Sequence, residues 1–75
     1  MIYARLKIFG SFDEFDIKLR KEAGVKDVIR QLTGMLDIEC GRAFLVSCEQ
    51  ERILRGYMTI MEEGISCGDT LILLV

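Results

Sequence analysis

The residues that could do chemistry in this sequence are few and far apart. The sequence has no histidine, so none of its serines has an imidazole to activate it as a nucleophile. It contains neither the G-x-G-x-x-G pattern nor a P-loop. Two pairs of glutamates lie in predicted polar turns, Glu49 with Glu51 and Glu62 with Glu63. Because carboxylates in such turns are typically solvated, we expect a protein that is not an enzyme and binds no cofactor.

The cysteines could bind a metal or form a disulfide, but their arrangement favours neither. Cys40, Cys48 and Cys67 are odd in number and include no C-x-x-C pair. A zinc site would have to recruit carboxylates around three scattered thiols, whereas structural zinc sites use closely spaced cysteine and histidine. We therefore predict reduced, partly buried thiols and a fold that needs neither a metal nor a disulfide.

The composition is that of one small globular domain, residues 1–75. The chain is 51% hydrophobic and 29% charged, and it has no proline to mark a linker. Its net charge of −2, without a basic run, argues against nucleic-acid binding. The longest apolar run, 71–75, is far shorter than the roughly 20 residues of a membrane span. The N-terminus lacks the apolar region of a signal peptide, so we expect a cytoplasmic protein.

Two strands and a helix are predicted in the first half of the chain. Apolar residues alternate with polar ones over 2–8 and again over 15–19, which indicates a β-hairpin around a polar turn. The period then changes to that of an amphipathic helix over 25–36. The predicted core stripe of this helix consists of Val25, Val28, Ile29, Leu32, Met35 and Leu36.

The second half predicts a second hairpin and a closing strand. The strands are 43–48, 52–55 and 70–75, and 56–65 has room for a single short helical turn that Ile60 and Ile65 anchor to the core. Gly68-Asp69 supplies the turn before the last strand. The order hairpin, helix, hairpin, strand predicts an α+β protein of the ubiquitin-like β-grasp class. The last strand should lie at the centre of a mixed sheet, because it is apolar on both faces.

Two motifs resemble those of a known family. The helix start from Val25 to Ile29 follows V-K-x-V-I, and the segment from Gly64 to Leu71 follows G-I-x-x-G-D-x-L. In these motifs and in length the chain resembles the YukD/EsaB family, ubiquitin-like accessory proteins of type VII (WXG100) secretion systems in Gram-positive bacteria. Those proteins stop in or just after the last strand, without a diglycine tail. The resemblance implies a non-catalytic accessory or regulator that works through a protein-binding surface.

The open face of the sheet is the predicted binding surface. If Leu71 and Leu73 point inward, the alternation leaves the residues between and after them on the open face, beside the first strand. The predicted protein-binding residues are Tyr3, Arg5, Ile72 and Leu74. An exposed apolar patch on so small a protein suits a protein partner, such as a membrane secretion subunit, or a second copy of the chain.

A sulfur carrier of the MoaD/ThiS type is the alternative function. Such carriers share the hairpin, the helix and the Gly-Asp turn, but their chemistry takes place on a C-terminal Gly-Gly. The alternative therefore requires that a Gly-Gly tail is absent here only through loss or truncation after Val75.

Overall fold

Five strands and one helix lie within residues 1–38 and 41–74, which are the residues that the computed structural model describes. The elements in chain order are β1 (Ile2–Ile8), β2 (Glu14–Leu19), α1 (Val25–Met35), β3 (Phe44–Ser47), β4 (Arg52–Ile53) and β5 (Thr70–Leu74). The strand order in the sheet is β2-β1-β5-β3-β4. β5 lies at the centre, parallel to β1 and antiparallel to β3. The predicted order of elements and the central place of the last strand are both confirmed.

The sheet has one face in the core. The β1–β5 register places Leu6 opposite Leu71, and on the other side of β5 the register places Leu45 opposite Leu73. All four side chains are almost completely buried. In a pleated sheet, directly opposite residues lie on the same face, so these four define the face that the helix covers. The predicted inward orientation of Leu71 and Leu73 is confirmed.

The helix packs on the sheet through the first part of its predicted stripe. Val25, Val28, Ile29 and Leu32 are buried. The prediction is wrong for Met35, which is 82% exposed because it lies at the margin of the stripe in the last turn. Thr33, in the last turn of the helix, is also buried. Its hydroxyl donates to the backbone oxygen of Ile29 at 2.8 Å, which satisfies the polar group inside the protein.

The start of the helix is held by backbone rather than by a capping side chain. The N–H of Val25 donates to the carbonyl oxygen of Met58 at 2.8 Å, and the N–H of Lys26 donates to that of Gly56 at 3.2 Å. The first N–H groups of a helix have no partner within the helix. The irregular segment that follows β4 supplies partners here, so the helix and this segment hold each other in place.

The segment between β4 and β5 is anchored as predicted. Ile60 and Ile65 are buried in the core, and a single helical turn is closed by the bond from the Glu63 N–H to the Thr59 oxygen, 3.0 Å. Gly64 has φ +75°, a conformation that other residues adopt only at a cost. No helix in the described ranges is long and apolar enough to cross a membrane.

Candidate docking surface on the open face

The face of the sheet away from the helix carries a row of side chains that crosses four strands. Lys7 on β1 lies opposite Ile72 on β5, Ile72 lies opposite Val46 on β3, and Val46 lies opposite Ile53 on β4. In the next row Leu74 lies opposite Phe44. Because directly opposite residues share a face, the aliphatic and aromatic members of these two rows form a continuous surface.

This apolar surface is partly exposed. Phe44 and Ile53 are 50% and 53% exposed, and the side chains between them on β3 and β5 are half-buried by their neighbours. We refer to it as the apolar half of the open face, and its members are Phe44, Val46, Ile53, Ile72 and Leu74. Exposed apolar groups that lie together in this way are typical of interaction surfaces.

The hairpin side of the open face is charged. Arg5 lies 3.8 Å from both Glu14 and Asp16, and Lys7 lies 3.2 Å from Glu14. All of these side chains are largely exposed, so each pair contributes at most about 1 kcal/mol to stability. Their charges nevertheless offset one another. The charged half therefore offers hydrogen-bonding groups at the edge of the apolar half without a strong field of one sign.

The four residues predicted for the binding surface lie on one face, but they do not form one cluster. Ile72 and Leu74 are in the apolar half. Tyr3 and Arg5 are in the charged half, where the ammonium of Lys18 lies 5.7 Å from the centre of the Tyr3 ring. Their role in binding remains a prediction.

Sequence reasoning missed Phe44, Val46 and Ile53. Alternation around the inward Leu45 could have placed Phe44 and Val46 on the open face. Their position beside Ile72 and Leu74 depends on the β3–β5 register. The alternation of residues within a single strand does not predict that register.

A second cluster of interest surrounds Glu63, which contacts the β3–β4 turn and β4. The expectation that this glutamate is solvated is wrong, because it is only 1% exposed. Its carboxylate accepts from Arg52 Nη1 at 2.8 Å, from Arg55 Nη2 at 2.8 Å and from the Arg55 backbone N–H at 2.7 Å. Gln50 donates to the backbone oxygen of the same glutamate at 2.8 Å.

These contacts explain the protonation state of Glu63. Burial alone would raise the pKa of the carboxyl group, but the hydrogen bonds from Arg52 and Arg55 outweigh it and lower the pKa to about 2. The hydrogen bond from Arg55 to Glu63, together with the charge of that carboxylate, raises the pKa of the Arg55 guanidinium. The cluster is therefore a structural ion cluster that ties β4 to the segment after it, and it does not have the raised pKa expected of a general acid.

The turn before β5 holds a second buried acid. Asp69 accepts a hydrogen bond from the Ser47 hydroxyl at 2.6 Å and another from the Glu49 N–H at 3.1 Å. The Gln50 N–H donates in turn to the Ser47 oxygen at 3.2 Å. The predicted Gly68-Asp69 turn thus also fixes the β3–β4 turn, which the sequence did not reveal.

The cysteines differ from their predicted burial. Cys48 and Cys67 are exposed, so the expectation of partly buried thiols is wrong for these two. Cys40 lies outside the described residues. Within 1–38 and 41–74, no three side chains of histidine, cysteine, aspartate or glutamate are grouped so that they could hold a metal ion.

Comparison with known proteins identifies the fold. No model of a protein family matches the chain, and no curated protein matches it. Among solved structures, the ubiquitin of Caldiarchaeum subterraneum superposes with a TM-score of 0.84 at 17% identity, covering 99% of this chain and 91% of that one. The ubiquitin-like domain of Plasmodium falciparum Dsk2 superposes with a TM-score of 0.81 at 20% identity, over 97% and 95% of the two chains. The chain has the ubiquitin-like β-grasp fold.

The likeness extends to domains of larger proteins. The C-terminal ubiquitin-like domain of mouse tubulin-specific chaperone e superposes with a TM-score of 0.80 at 15% identity, over 97% of this chain and 84% of that one. At such identities the shared property is the fold, an α+β sheet with one helix. The function has to be argued from this chain's own surface.

Proposed function

We propose that this ubiquitin-like chain is a non-catalytic protein-interaction module that docks a protein partner on the apolar half of its open face. The observation that carries the proposal is the continuous apolar surface on β3, β4 and β5, with Phe44 and Ile53 about half exposed. A central strand needs an inward apolar row for its core, but it does not need the outward Ile72 and Leu74. Covering a fully exposed side chain of this size contributes about 1.5–3 kcal/mol, and covering these partly buried ones contributes proportionally less.

The partner that we propose is a subunit of a type VII (WXG100) secretion machine, contacted from the cytoplasm. The support is the resemblance of the 25–29 and 64–71 motifs to the YukD/EsaB family. Both motifs have structural roles in this fold, since Val25 starts the helix and Gly64 forms the turn before Ile65. The two motifs therefore support the fold, and the role in secretion is proposed from the resemblance, with the open face as the contact surface.

The test is a pull-down of purified secretion components, the membrane ATPase and a WXG100 protein, on the immobilised chain. Ile72→Asp with Leu74→Asp should weaken capture by about tenfold or more per side chain, because a charge replaces an apolar contact. Gln31→Asp with Met35→Asp is the matched control, since it also adds two aspartates and both residues are exposed on the helix. Circular dichroism checks that both variants fold. Undiminished capture by the folded double variant would refute the docking surface.

Two further measurements separate the alternatives. Sedimentation of the wild-type chain alone shows whether the open face binds a second copy instead, because self-association makes the apparent mass rise with protein concentration. The intact mass of the protein isolated from its own cells shows whether a Gly-Gly tail follows Val75. Such a tail, together with a C-terminal thiocarboxylate, would replace the proposal with a sulfur carrier.

A further inference from the structure

A groove runs between the helix and the β3–β4 side of the sheet, around the corner from the open face. Its volume is about 640 Å³, within the range of specific binding pockets. The buried Ile29 and Leu54 form its floor together with the half-buried Ala43, and the exposed Phe44 and Ile53 stand at its sheet-side rim. The groove is thus apolar at the bottom and open along its length.

Each described polar residue that lines this groove is a cation. Lys26 and Arg30 lie one helical turn apart on α1, and Arg55 lies on the chain segment opposite. Among the described residues, no aspartate or glutamate lines the groove. This concentration of positive charge contrasts with the net charge of −2 for the whole chain.

Nearby carboxylates neutralise the positive charge at the groove only in part. Lys26 forms no ion pair with any described residue. Arg30 lies 3.8 Å from Asp27, but both side chains are more than half exposed, so water screens the pair. Arg55 and Arg52 share the single carboxylate of Glu63, so that cluster retains one net positive charge.

We propose that the groove binds a short acidic segment of a protein partner, one that carries leucine-like side chains beside its carboxylates. The apolar floor takes the leucine-like groups, and Lys26, Arg30 and Arg55 take the carboxylates. Charges at a rim steer and orient a ligand while apolar anchors hold it. The apolar floor favours such a peptide over a nucleic acid, whose backbone offers phosphates without aliphatic anchors. The groove shares Phe44 and Ile53 with the apolar half of the open face but contains neither Ile72 nor Leu74, so different variants test the two proposals.

The test uses a fluorescein-labelled peptide of alternating leucine and aspartate, titrated with the folded chain and followed by fluorescence anisotropy. Saturable binding that weakens as salt rises is expected. Lys26→Glu with Arg30→Glu should weaken binding by about tenfold. Arg20→Glu with Lys21→Glu is the matched control, because it changes the net charge equally at exposed residues that do not line the groove. The Ile72→Asp, Leu74→Asp variant should bind the peptide as the wild type does.

Two control peptides test the charge contacts and the apolar contacts separately. A peptide with lysine in place of aspartate and a peptide with serine in place of leucine should both fail to bind. Amide chemical-shift changes on adding the leucine–aspartate peptide should concentrate at Ile29, Ala43 and Leu54. If the charge-reversed groove variant does not fold, Lys26→Gln with Arg30→Gln should show an intermediate loss.

Four outcomes would overturn the inference. The first is that the leucine–aspartate peptide does not bind, and the second is that the serine–aspartate peptide binds equally well. The third is that only the open-face variant loses binding. The fourth is that a thymidine oligonucleotide displaces the labelled peptide at a lower concentration than the unlabelled peptide does. The last would assign the groove to nucleic acid instead.

Discussion

Glu63 shows how a single residue can be charged and buried in so small a domain. Withdrawing a carboxylate from water costs several kcal/mol unless donors replace the lost hydration. Here two guanidinium groups and a backbone N–H supply them. Because Arg52 and Arg55 keep part of their side chains in water, only one partner of the cluster is fully desolvated.

The low pKa of Glu63 predicts how stability depends on pH. The pKa is about 2 in the folded protein and about 4.5 otherwise, so the folded state favours the ionised form. The resulting stabilisation is fully present above about pH 4.5 and is lost as the pH falls towards 2. Urea titrations of wild type and Glu63→Gln between pH 7 and pH 2.5 check this. The difference between their unfolding free energies should shrink in acid, whereas a constant difference would contradict the ion cluster.

Glu63→Gln should also destabilise the protein at neutral pH. The amide keeps the size of the side chain but loses charge-assisted hydrogen bonds, each worth about 1.5–3 kcal/mol. Glu62→Gln is the natural control, because Glu62 is exposed and, among the described residues, its side chain accepts a hydrogen bond only from the Thr59 N–H. Equal stability of the two variants would mean that the cluster contributes nothing.

A second residue-scale prediction concerns Asp69. Asp69→Ala removes the acceptor of the Ser47 hydroxyl and the Glu49 N–H, so it should lower the unfolding free energy by about 1–3 kcal/mol. Asp13→Ala, at an exposed hairpin position, should change it by less than about 0.5 kcal/mol. Denaturant titration measures both. In a double-mutant cycle with Ser47→Ala the two effects should not add, and simple additivity would exclude a shared network.

Neither buried acid could be predicted from the sequence. A glutamate or aspartate in a turn is solvated in most proteins, and its burial depends on partners that are distant along the chain. Asp69 and Ser47 are 22 positions apart, and Glu63 and Arg52 are 11 apart. Local patterns carry no information about such pairs.

At the scale of elements, the apolar stripe of α1 predicts which helix residues stabilise the fold. Ile29 and Leu32 lie mid-stripe and are buried against the sheet. Truncating either to alanine should cost about 2–5 kcal/mol, since it removes apolar contacts and leaves a cavity. Met35→Ala, on the same helix but exposed, should cost less than about 0.5 kcal/mol. Urea unfolding compares the three variants, and a loss at Met35 as large as at Ile29 would mean that the stripe is misplaced.

The regular elements were predictable because each depends on a short-range period. The alternation over 2–8 predicted β1 with the ends that the structure shows, and the stripe from Val25 onward predicted a helix that extends one residue beyond the end of α1. The pairing of the helix start with Met58 and Gly56 was not predictable. Backbone atoms make those bonds, so no side-chain pattern records them.

For the whole molecule, the thiols give a simple prediction. Cys48 and Cys67 are exposed, so both should react with a thiol reagent in the native state. We expect that neither dithiothreitol nor EDTA changes the melting temperature, because the sequence predicts a fold that needs neither a disulfide nor a metal. Differential scanning fluorimetry measures this. A fall of several degrees with either reagent would show that a cross-link or a bound metal supports the fold.

The central position of β5 has a consequence for how the protein is made. β5 is synthesised after every other strand, yet it joins β1 to β3 and thereby connects the two hairpins. Until Thr70–Leu74 have left the ribosome, the nascent chain can form each hairpin but cannot complete the sheet beneath the helix. Pairing β1 with β5 also closes most of the chain into one loop, and such non-local contacts slow folding. The sheet can therefore close only after β5 has left the ribosome, and a shorter nascent chain exposes its core to chaperones and proteases.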